Sequence, residues 1–173
     1  SDDIDISSDG RFVTYADREY IDADERDSLP RSDWNWGQKT NIFVKDMFTG
    51  DLDLIDEENY RHSSSNPKIS DDGQFILFNS WGELSENDKT DTVYADLDFF
   101  FADRINNSII RVNEYSDGTS FDTHGYGISA DLSADGTKIV FDTVENITDD
   151  SSDSTNLKVF VKDLTNGNIT LVS

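Results

Sequence analysis

The sequence contains no cysteine, only two prolines and a single methionine. Without cysteine the chain cannot form disulfides, use a thiolate nucleophile or hold zinc or iron–sulfur clusters through sulfur. Hard oxygen ligands are the metal-binding groups that remain. No run of about 18 apolar residues is present, and the first residues are acidic. We therefore expect neither a membrane span nor a targeting signal within these 173 residues.

Basic residues are also scarce: 14 Lys and Arg stand against 37 Asp and Glu, which gives a net charge of −23. Nucleic-acid phosphates and anionic lipid surfaces would repel such a chain, so we exclude nucleic acid and membrane insertion. Of the acidic residues, 29 are aspartate and 8 are glutamate. Short carboxylates suit cation sites in tight loops, and adaptation to salt is the alternative explanation. Because 12% of the residues are aromatic, we expect a folded domain rather than a disordered acidic segment.

One pattern occurs three times and contains an Asp-Gly turn signal. Its copies are Ser7-Ser8-Asp9-Gly10, Ser70-Asp71-Asp72-Gly73 and Ser133-Ala134-Asp135-Gly136, each followed by an apolar run. The three glycines are separated by 63 residues in both intervals, although the loops between them differ in sequence. A constant period of this length predicts a repeat architecture.

A second pattern lies in the later part of each repeat. The outer copies are Ile42-Phe43-Val44-Lys45-Asp46 with Thr49-Gly50, and Val159-Phe160-Val161-Lys162-Asp163 with Asn166-Gly167. The middle copy, Phe99-Phe100-Phe101-Ala102-Asp103, has Asn107-Ser108 in place of a glycine. Each repeat thus holds four short apolar runs separated by turn dipeptides, which is typical of a four-stranded antiparallel meander.

These patterns resemble the PD40 or TolB-like β-propeller repeats over nearly the whole chain. The resemblance implies an all-β fold of three four-stranded antiparallel blades in one domain, with blades at 1–56, 57–126 and 127–173. Closed propellers typically have four to eight blades, so three arrangements stay open. They are an arc of a longer propeller, an open stack, and a homodimer that completes the ring. We favour a self-contained unit, because both ends fall at repeat boundaries.

Each repeat carries an acidic loop between its second and third strands. In every loop at least three carboxylates follow an apolar anchor within seven or eight residues. Carboxylates so close together repel one another unless a cation joins them, and Ca²⁺ takes six to eight oxygen ligands. None of the loops matches the EF-hand, and a solvated polar loop is the alternative. The predicted calcium ligands are Asp22, Asp24, Asp27, Glu86, Asp88, Asp91, Asp149, Asp150 and Asp153.

Antiparallel alternation places these loops and the blade-to-blade loops on one rim, where we expect the ligand to bind. The predicted ligand-binding residues are Tyr20, Trp34, Trp36, Tyr60, Tyr115, Phe121, His124 and Tyr126. Their aromatic rings suit stacking on sugars or gripping a peptide. For Trp34 and Trp36 a plug over the channel or over a blade edge is the equal alternative. We assign Trp81 to the core.

Catalysis has little support in this sequence. The two histidines, His62 and His124, lie in separate blade-to-blade loops, and no nucleophile elbow, zinc-protease helix or phosphate loop is present. We predict no catalytic residues and no enzyme activity.

The function that follows is a non-enzymatic, Ca²⁺-stabilised ligand-binding module. We expect it to be secreted or attached to the bacterial cell surface, where it captures a peptide or protein, or a carbohydrate, on its loop-rich face. Repeats of this acidic-loop type resemble those of large adhesins. The alternative is a structural or accessory propeller segment of a larger secreted enzyme.

Overall fold

The computed structural model describes residues 3–18, 40–56, 63–82, 84, 97–115, 129–144, 147–148 and 156–173. These residues form twelve β-strands arranged in three antiparallel sheets of four. The all-β prediction of three four-stranded blades is confirmed. Over the same residues, no helix is both long and apolar enough to cross a membrane.

Each sheet is a simple meander, with its strands hydrogen-bonded in chain order. Blade one comprises β1 Ile4–Ile6, β2 Phe12–Arg18, β3 Thr40–Asp46 and β4 Leu52–Leu54. Blade two comprises β5 Ser64–Ile69, β6 Phe75–Ser80, β7 Asp98–Asp103 and β8 Ser108–Arg111. Blade three comprises β9 Ala130–Leu132, β10 Lys138–Thr143, β11 Lys158–Asp163 and β12 Ile169–Leu171.

The Asp-Gly turns close the first hairpin of every blade with the same hydrogen bonds. In blade one, Ser7 Oγ and the N–H of Arg11 donate to Asp9 Oδ1 at 2.7 and 2.9 Å. The N–H of Phe12 donates back to Ser7 Oγ at 2.9 Å. The same three bonds recur in the turns of blades two and three. The recurring serine and aspartate therefore serve the turn itself.

The second turn of each blade begins at an aspartate that ends the third strand. In blade two, Asp103 accepts hydrogen bonds from the backbone N–H groups of Ile105 and Asn106 at 3.0 and 3.2 Å. The turn closes through Asn107, whose φ is 51°. Asparagine tolerates this left-handed region better than most residues, so the middle repeat keeps the same turn without the glycine of the outer copies.

Hydrogen bonds lower the pKa values of several turn carboxyl groups. The pKa of Asp135 is lowered to about 2, chiefly by Ser133 Oγ and then by the backbone and hydroxyl of Thr137. The guanidinium of Arg11 lowers the pKa of Asp46 in blade one. A carboxyl group with a lowered folded pKa stabilises the fold above its ordinary pKa, and this stabilisation is lost as the pH falls.

The space between successive blades holds the core. One apolar cluster joins blades one and two: Ile42, Val44, Ile69, Ile76, Phe78, Phe100 and Ala102. A second joins blades two and three: Leu77, Phe99, Val112, Ile139, Phe141, Ile147 and Phe160. The adjacent residues Ile76 and Leu77 belong to different clusters because successive strand residues point to opposite faces. Blade two is therefore covered on both faces, which explains its apolar runs without alternation.

A phenylalanine ring lies over the turn glycine of the following blade at both junctions. A Cβ atom added to Gly73 would lie 2.0 Å from Cδ2 of Phe12, and one added to Gly136 would lie 2.2 Å from Cδ2 of Phe75. Since real Cβ contacts are essentially never shorter than 3.0 Å, only glycine allows the ring this close. Both glycines also have a positive φ, of 72° and 68°.

Arg104 secures the first junction around this ring. Its guanidinium lies 4.7 Å from the centre of the Phe12 ring. The same group donates to the carbonyl oxygen of Gly73 at 2.6 Å and to Asp53 Oδ2 at 3.0 Å. A cation over an aromatic face and an ion pair to the preceding blade thus hold the two turns together.

We expect Asp135→Asn to destabilise the protein at about pH 6 but not at about pH 2. The carboxyl group has its ordinary pKa of 3.8 when unfolded and about 2 when folded, so its charge stabilises the fold only above this window. Urea denaturation of both proteins across the pH range measures the difference. Asp71→Asn, an exposed aspartate of the corresponding turn in blade two, is the control. A difference in unfolding free energy between Asp135→Asn and the natural protein that persists at about pH 2 would show that the charge of Asp135 is not its cause.

We expect Gly73→Ala to lower the free energy of unfolding by about 1–3 kcal/mol more than Gly10→Ala does. Both glycines have a φ of 72°, so the backbone strain of the new side chain is common to the two variants. Nothing lies within 4 Å of the added Cβ at Gly10, whereas the Phe12 ring occupies that space at Gly73. Chemical denaturation of the two variants measures the difference, and equal losses would show that the ring contact is unimportant.

Candidate functional site

The two turns of each blade lie on one rim. The N–H of Met47 donates to the carbonyl of Arg11 at 2.7 Å, and the N–H of Leu164 donates to that of Thr137 at 2.8 Å. These bonds join the Asp-Gly turn to the second turn in blades one and three. The strand ends that flank the other connections lie on the opposite rim, as strand alternation predicted. We call it the loop rim, and its strand ends are at 18 and 40, 54 and 64, 80 and 98, 111 and 130, and 143 and 158.

A cavity of about 440 Å³ lies between blades two and three. Its walls come from β5 and β6 on one side and from β9, β10 and β11 on the other. Leu77 and Phe141 form part of the apolar lining, and Lys68, Asn79, Asp131 and Asp142 form part of the polar lining. Asn79 and Asp142 each lie one residue before the end of their strand, so the cavity is on the loop-rim side of the sheets.

Strand β5 is irregular where it lines the cavity. Its register against β6 shifts between Ser65 and Lys68, and Asn66 has a φ of 52°. The corresponding strands β1 and β9 pair without a shift. Pro67, inside the shifted segment, has no N–H to donate. Bulges and left-handed non-glycine residues concentrate at functional sites, which singles out this edge of blade two.

The cavity brings together groups of complementary hydrogen-bonding chemistry. Asn79 is only 3% exposed and carries a side-chain amide. Asp142 Oδ1 accepts a hydrogen bond from the N–H of Ser129 at 2.7 Å. Asp131 Oδ1 accepts one from the N–H of Leu132 at 2.9 Å. An amide both donates and accepts, and carboxylates accept. The arrangement suits a ligand with alternating donors and acceptors, such as a peptide.

Two buried basic side chains hold the chain segment that leaves β8. Nζ of Lys162 donates to two backbone carbonyls within residues 112–114, at 2.8 Å each. Burial lowers the pKa of Lys162, while the charge of Glu114 opposes that effect. Arg111, also buried, forms an ion pair with Glu114 at 3.4 Å. These contacts fix the backbone immediately before Tyr115.

Among the predicted ligand residues, Tyr115 lies within the described ranges. It is half-buried and packs against the apolar cluster between blades two and three. The other seven lie outside the described residues: Tyr20, Trp34, Trp36, Tyr60, Phe121, His124 and Tyr126. Ligand contact stays a prediction for all eight.

The predicted calcium ligands all lie outside the described residues: Asp22, Asp24, Asp27, Glu86, Asp88, Asp91, Asp149, Asp150 and Asp153. In the part of the chain that the structure does describe, no three His, Cys, Asp or Glu side chains form a group that could hold a metal. Calcium binding therefore stays a prediction about the acidic loops.

The assignment of Trp81 to the core is wrong, because 41% of its surface is exposed. Strand β6 ends at Ser80, so Trp81 lies just beyond the sheet that covers its neighbours. It follows Asn79 by two residues, at the loop-rim end of β6. No sequence motif marks the residues that line the cavity. The one local signal is Pro67 inside β5, because proline cannot donate to a strand ladder.

Comparison with known proteins places the fold among β-propellers. TolB from Acinetobacter baumannii is similar over 98% of this chain and 31% of its own, with 14% identity and a TM-score of 0.55. The β-propeller domain of the Trilobed protease from Pyrococcus furiosus, with an open velcro topology, matches 95% of this chain and 40% of its own (16% identity, TM-score 0.56). The AtxE2 isopeptidase with Astexin3-dC4 bound matches 98% of this chain and 28% of its own, with 12% identity and a TM-score of 0.56.

No family model matches the chain, and no curated protein matches its sequence. The chain spans less than half the length of each similar structure. The likeness confirms the propeller fold that the repeats predicted, and it includes both TolB and the propellers of peptidases.

Proposed function

We propose that this chain is a non-catalytic propeller segment that captures a peptide or protein in the cavity between blades two and three. The observation that carries the proposal is the cavity itself, whose lining includes the amide-bearing Asn79, the basic Lys68 and the acidic Asp131 and Asp142. A peptide group both donates and accepts hydrogen bonds, so it can pair with an amide and with charged groups of either sign.

The edge of blade two supports a polypeptide ligand. β5 is the first strand of its sheet, so one side of it is free of a strand partner. Asn66 and Pro67 also lie outside the regular pairing with β6. The N–H groups of Asn66 and Ile69 already donate to Asp3 Oδ1 at 3.4 Å and Asp5 Oδ2 at 2.9 Å, so an extended peptide at this edge would pair with backbone carbonyl groups.

The charge of the cavity favours neutral or basic peptides. Asp131 and Asp142 line one side of it, and the chain as a whole carries a net charge of −23. A long-range field of this sign attracts cationic segments and repels acidic ones. Lys68, on the β5 side, supplies a single positive group that suits a backbone carbonyl or a carboxylate of the same ligand.

A carbohydrate is the second ligand class that we propose to test. Trp81 is exposed at the loop-rim end of β6, and the sequence places Trp34 and Trp36 in the connection between β2 and β3. Indole rings provide stacking surfaces for sugars as well as for peptides. A peptide array and a glycan array, probed with the same labelled protein, distinguish the two classes.

The cellular setting that we propose is outside the cell, secreted or on the bacterial surface as part of an adhesin. The resemblance of the acidic loops to those of large surface proteins supports this setting. The complete lack of cysteine is compatible with it.

We also propose that Ca²⁺ orders the loop rim. The support is the spacing of three carboxylates within each acidic loop of the sequence, such as Asp149, Asp150 and Asp153. Neutralising these groups with a divalent cation would remove their mutual repulsion next to the binding cavity.

An accessory role in a larger secreted enzyme is the competing proposal. It is favoured by the similarity to the propeller of a protease and by the short span of this chain within that structure. In this case the cavity would present polypeptide to a catalytic domain rather than retain it. Both proposals require peptide binding, and the accessory role additionally requires that a bound peptide be cleaved by the complete enzyme.

We expect Asn79→Leu to weaken peptide binding by about tenfold or more while leaving the melting temperature nearly unchanged. Leucine fills about the same space without the amide, so the packing is kept and the ligand loses its hydrogen-bond partner. Fluorescence anisotropy with a labelled peptide from the array measures the affinity, and calorimetry measures the melting temperature. Asn168→Leu, in an exposed turn away from the cavity, is the matched control.

Unchanged affinity in the Asn79→Leu variant would contradict the cavity as the binding site. A fall in melting temperature would instead assign Asn79 a structural role.

We expect Ca²⁺ to raise the melting temperature relative to EDTA, with a smaller effect of Mg²⁺, because a ligand that binds only the native state stabilises it. Thermal unfolding across a Ca²⁺ titration measures the shift. Replacing Asp149, Asp150 and Asp153 together by Asn should reduce the shift, whereas Asp51→Asn at a turn of the opposite rim should not. The absence of any shift up to millimolar Ca²⁺ would contradict the proposal and leave the charge as salt adaptation.

A further inference from the structure

The face of blade one that is turned away from blade two is largely apolar, and no other described strand packs on it. We call it the trailing face of blade one. Two cross-strand rows form it, one of Ile4, Tyr15, Phe43 and Leu54 and the other of Ile6, Val13, Lys45 and Leu52. Ile4 is 70% and Ile6 55% exposed. A continuous apolar sheet face of this kind marks an interaction surface.

The same positions in the other two blades are buried between blades. Tyr15 and Phe43 correspond in the repeat to Phe78 and Phe100, which are 0% exposed. The rings of Tyr15 and Phe43 stack with their centres 5.7 Å apart, as those of Phe78 and Phe100 do at 5.9 Å. Ile6 corresponds to Ile69, which is 7% exposed. Blade one therefore presents the same surface that blades two and three bury against a preceding blade.

The turn of blade one repeats this relation. Gly73 and Gly136 each receive a phenylalanine ring from the preceding blade, and their φ values are 72° and 68°. Gly10 has the same φ of 72°, yet nothing lies within 4 Å of the position where a Cβ would be. The notch that takes a ring at both internal junctions is thus formed and open at Gly10.

The uncovered face at the other end of the chain does not match this notch. It is the leading face of blade three, whose central rows are formed by Lys138, Val140, Val161 and Asp163. Lys138 stands two residues after Gly136, where Phe12 and Phe75 follow their own turn glycines. Its Nζ is bonded to Asp163 Oδ2 at 2.8 Å. A second copy would therefore bring a charged pair, and no ring, to Gly10.

We propose that the trailing face of blade one is a docking surface for another blade of this repeat type, one with phenylalanine two residues after its turn glycine. The occupant is defined by the two junctions within this chain: a ring over the glycine notch, and apolar side chains of its second and third strands over Tyr15 and Phe43. The face of blade three in a second copy lacks the ring, so a homodimeric ring of the natural sequence is not the expected occupant. This surface is separate from the cavity between blades two and three.

The test supplies the missing ring. Lys138→Phe gives blade three of one copy the chemistry of the proposed occupant, so that it can dock on blade one of another copy. We expect the natural chain to be monomeric and Lys138→Phe to associate, with the apparent dissociation constant lowered about tenfold or more by the burial of the ring. Sedimentation velocity over a concentration series measures both, and circular dichroism confirms that each variant is folded.

A second substitution distinguishes docking at the Gly10 notch from nonspecific association of the added phenylalanine. Gly10→Asn, added to Lys138→Phe, fills the notch with a residue that tolerates a positive φ and should restore the monomer. Gly50→Asn is the matched control, because Gly50 has a φ of 83° in the other turn of blade one, again with nothing within 4 Å, and should leave association intact.

Three results would overturn the proposal. Lys138→Phe that stays monomeric would show that the surface does not accept the ring. Association that persists in Lys138→Phe with Gly10→Asn would show that the notch is not the docking point. Association of the natural chain that is lost on Gly10→Asn would identify a second copy as the occupant.

Discussion

The structure depends on one contact, the phenylalanine ring that takes the place of a side chain at the turn glycine of the next blade. Phe12 lies over Gly73 and Phe75 over Gly136, each at a distance that no other residue at the glycine would allow. The contact couples the turn of one blade to the second strand of the blade before it. It explains why a phenylalanine follows the turn glycine by two residues in blades one and two, each of which packs against a following blade, whereas blade three has Lys138 at that position.

From this contact follows an asymmetry between the blades. The middle blade has both faces covered by apolar neighbours, and the outer blades have one each. Blade one ends in an apolar face with an open notch, whereas blade three ends in a face carrying a charged pair. The turns are held on one rim by Asp and Ser hydrogen bonds, and the cavity lies toward the opposite rim. In the function that we propose, stability and ligand binding thus belong to opposite rims of the same sheets.

The sequence was sufficient to predict the strands and their turns, because Asp-Gly punctuation and apolar runs are local signals. It also predicted the common rim of the turns, since strand alternation leaves no other arrangement. The cavity could not be predicted, because it depends on the space between two blades and on a register shift at Asn66 that no local pattern encodes. Trp81 was misassigned for a similar reason, since its exposure depends on where β6 ends relative to blade three. The role of the glycines in accepting a ring is likewise a property of the junction.

The most direct test of the account is a double-mutant cycle between Phe12→Leu and Gly73→Ala, with the free energy of unfolding measured for all four proteins. If the ring occupies the glycine notch, the smaller leucine side chain makes room for the alanine methyl group. The cost of Gly73→Ala, measured in the Phe12→Leu variant, should then fall to that of Gly10→Ala in the natural chain. Additive effects of the two substitutions would mean that ring and glycine do not interact, and the constraint proposed to align the blades would be wrong.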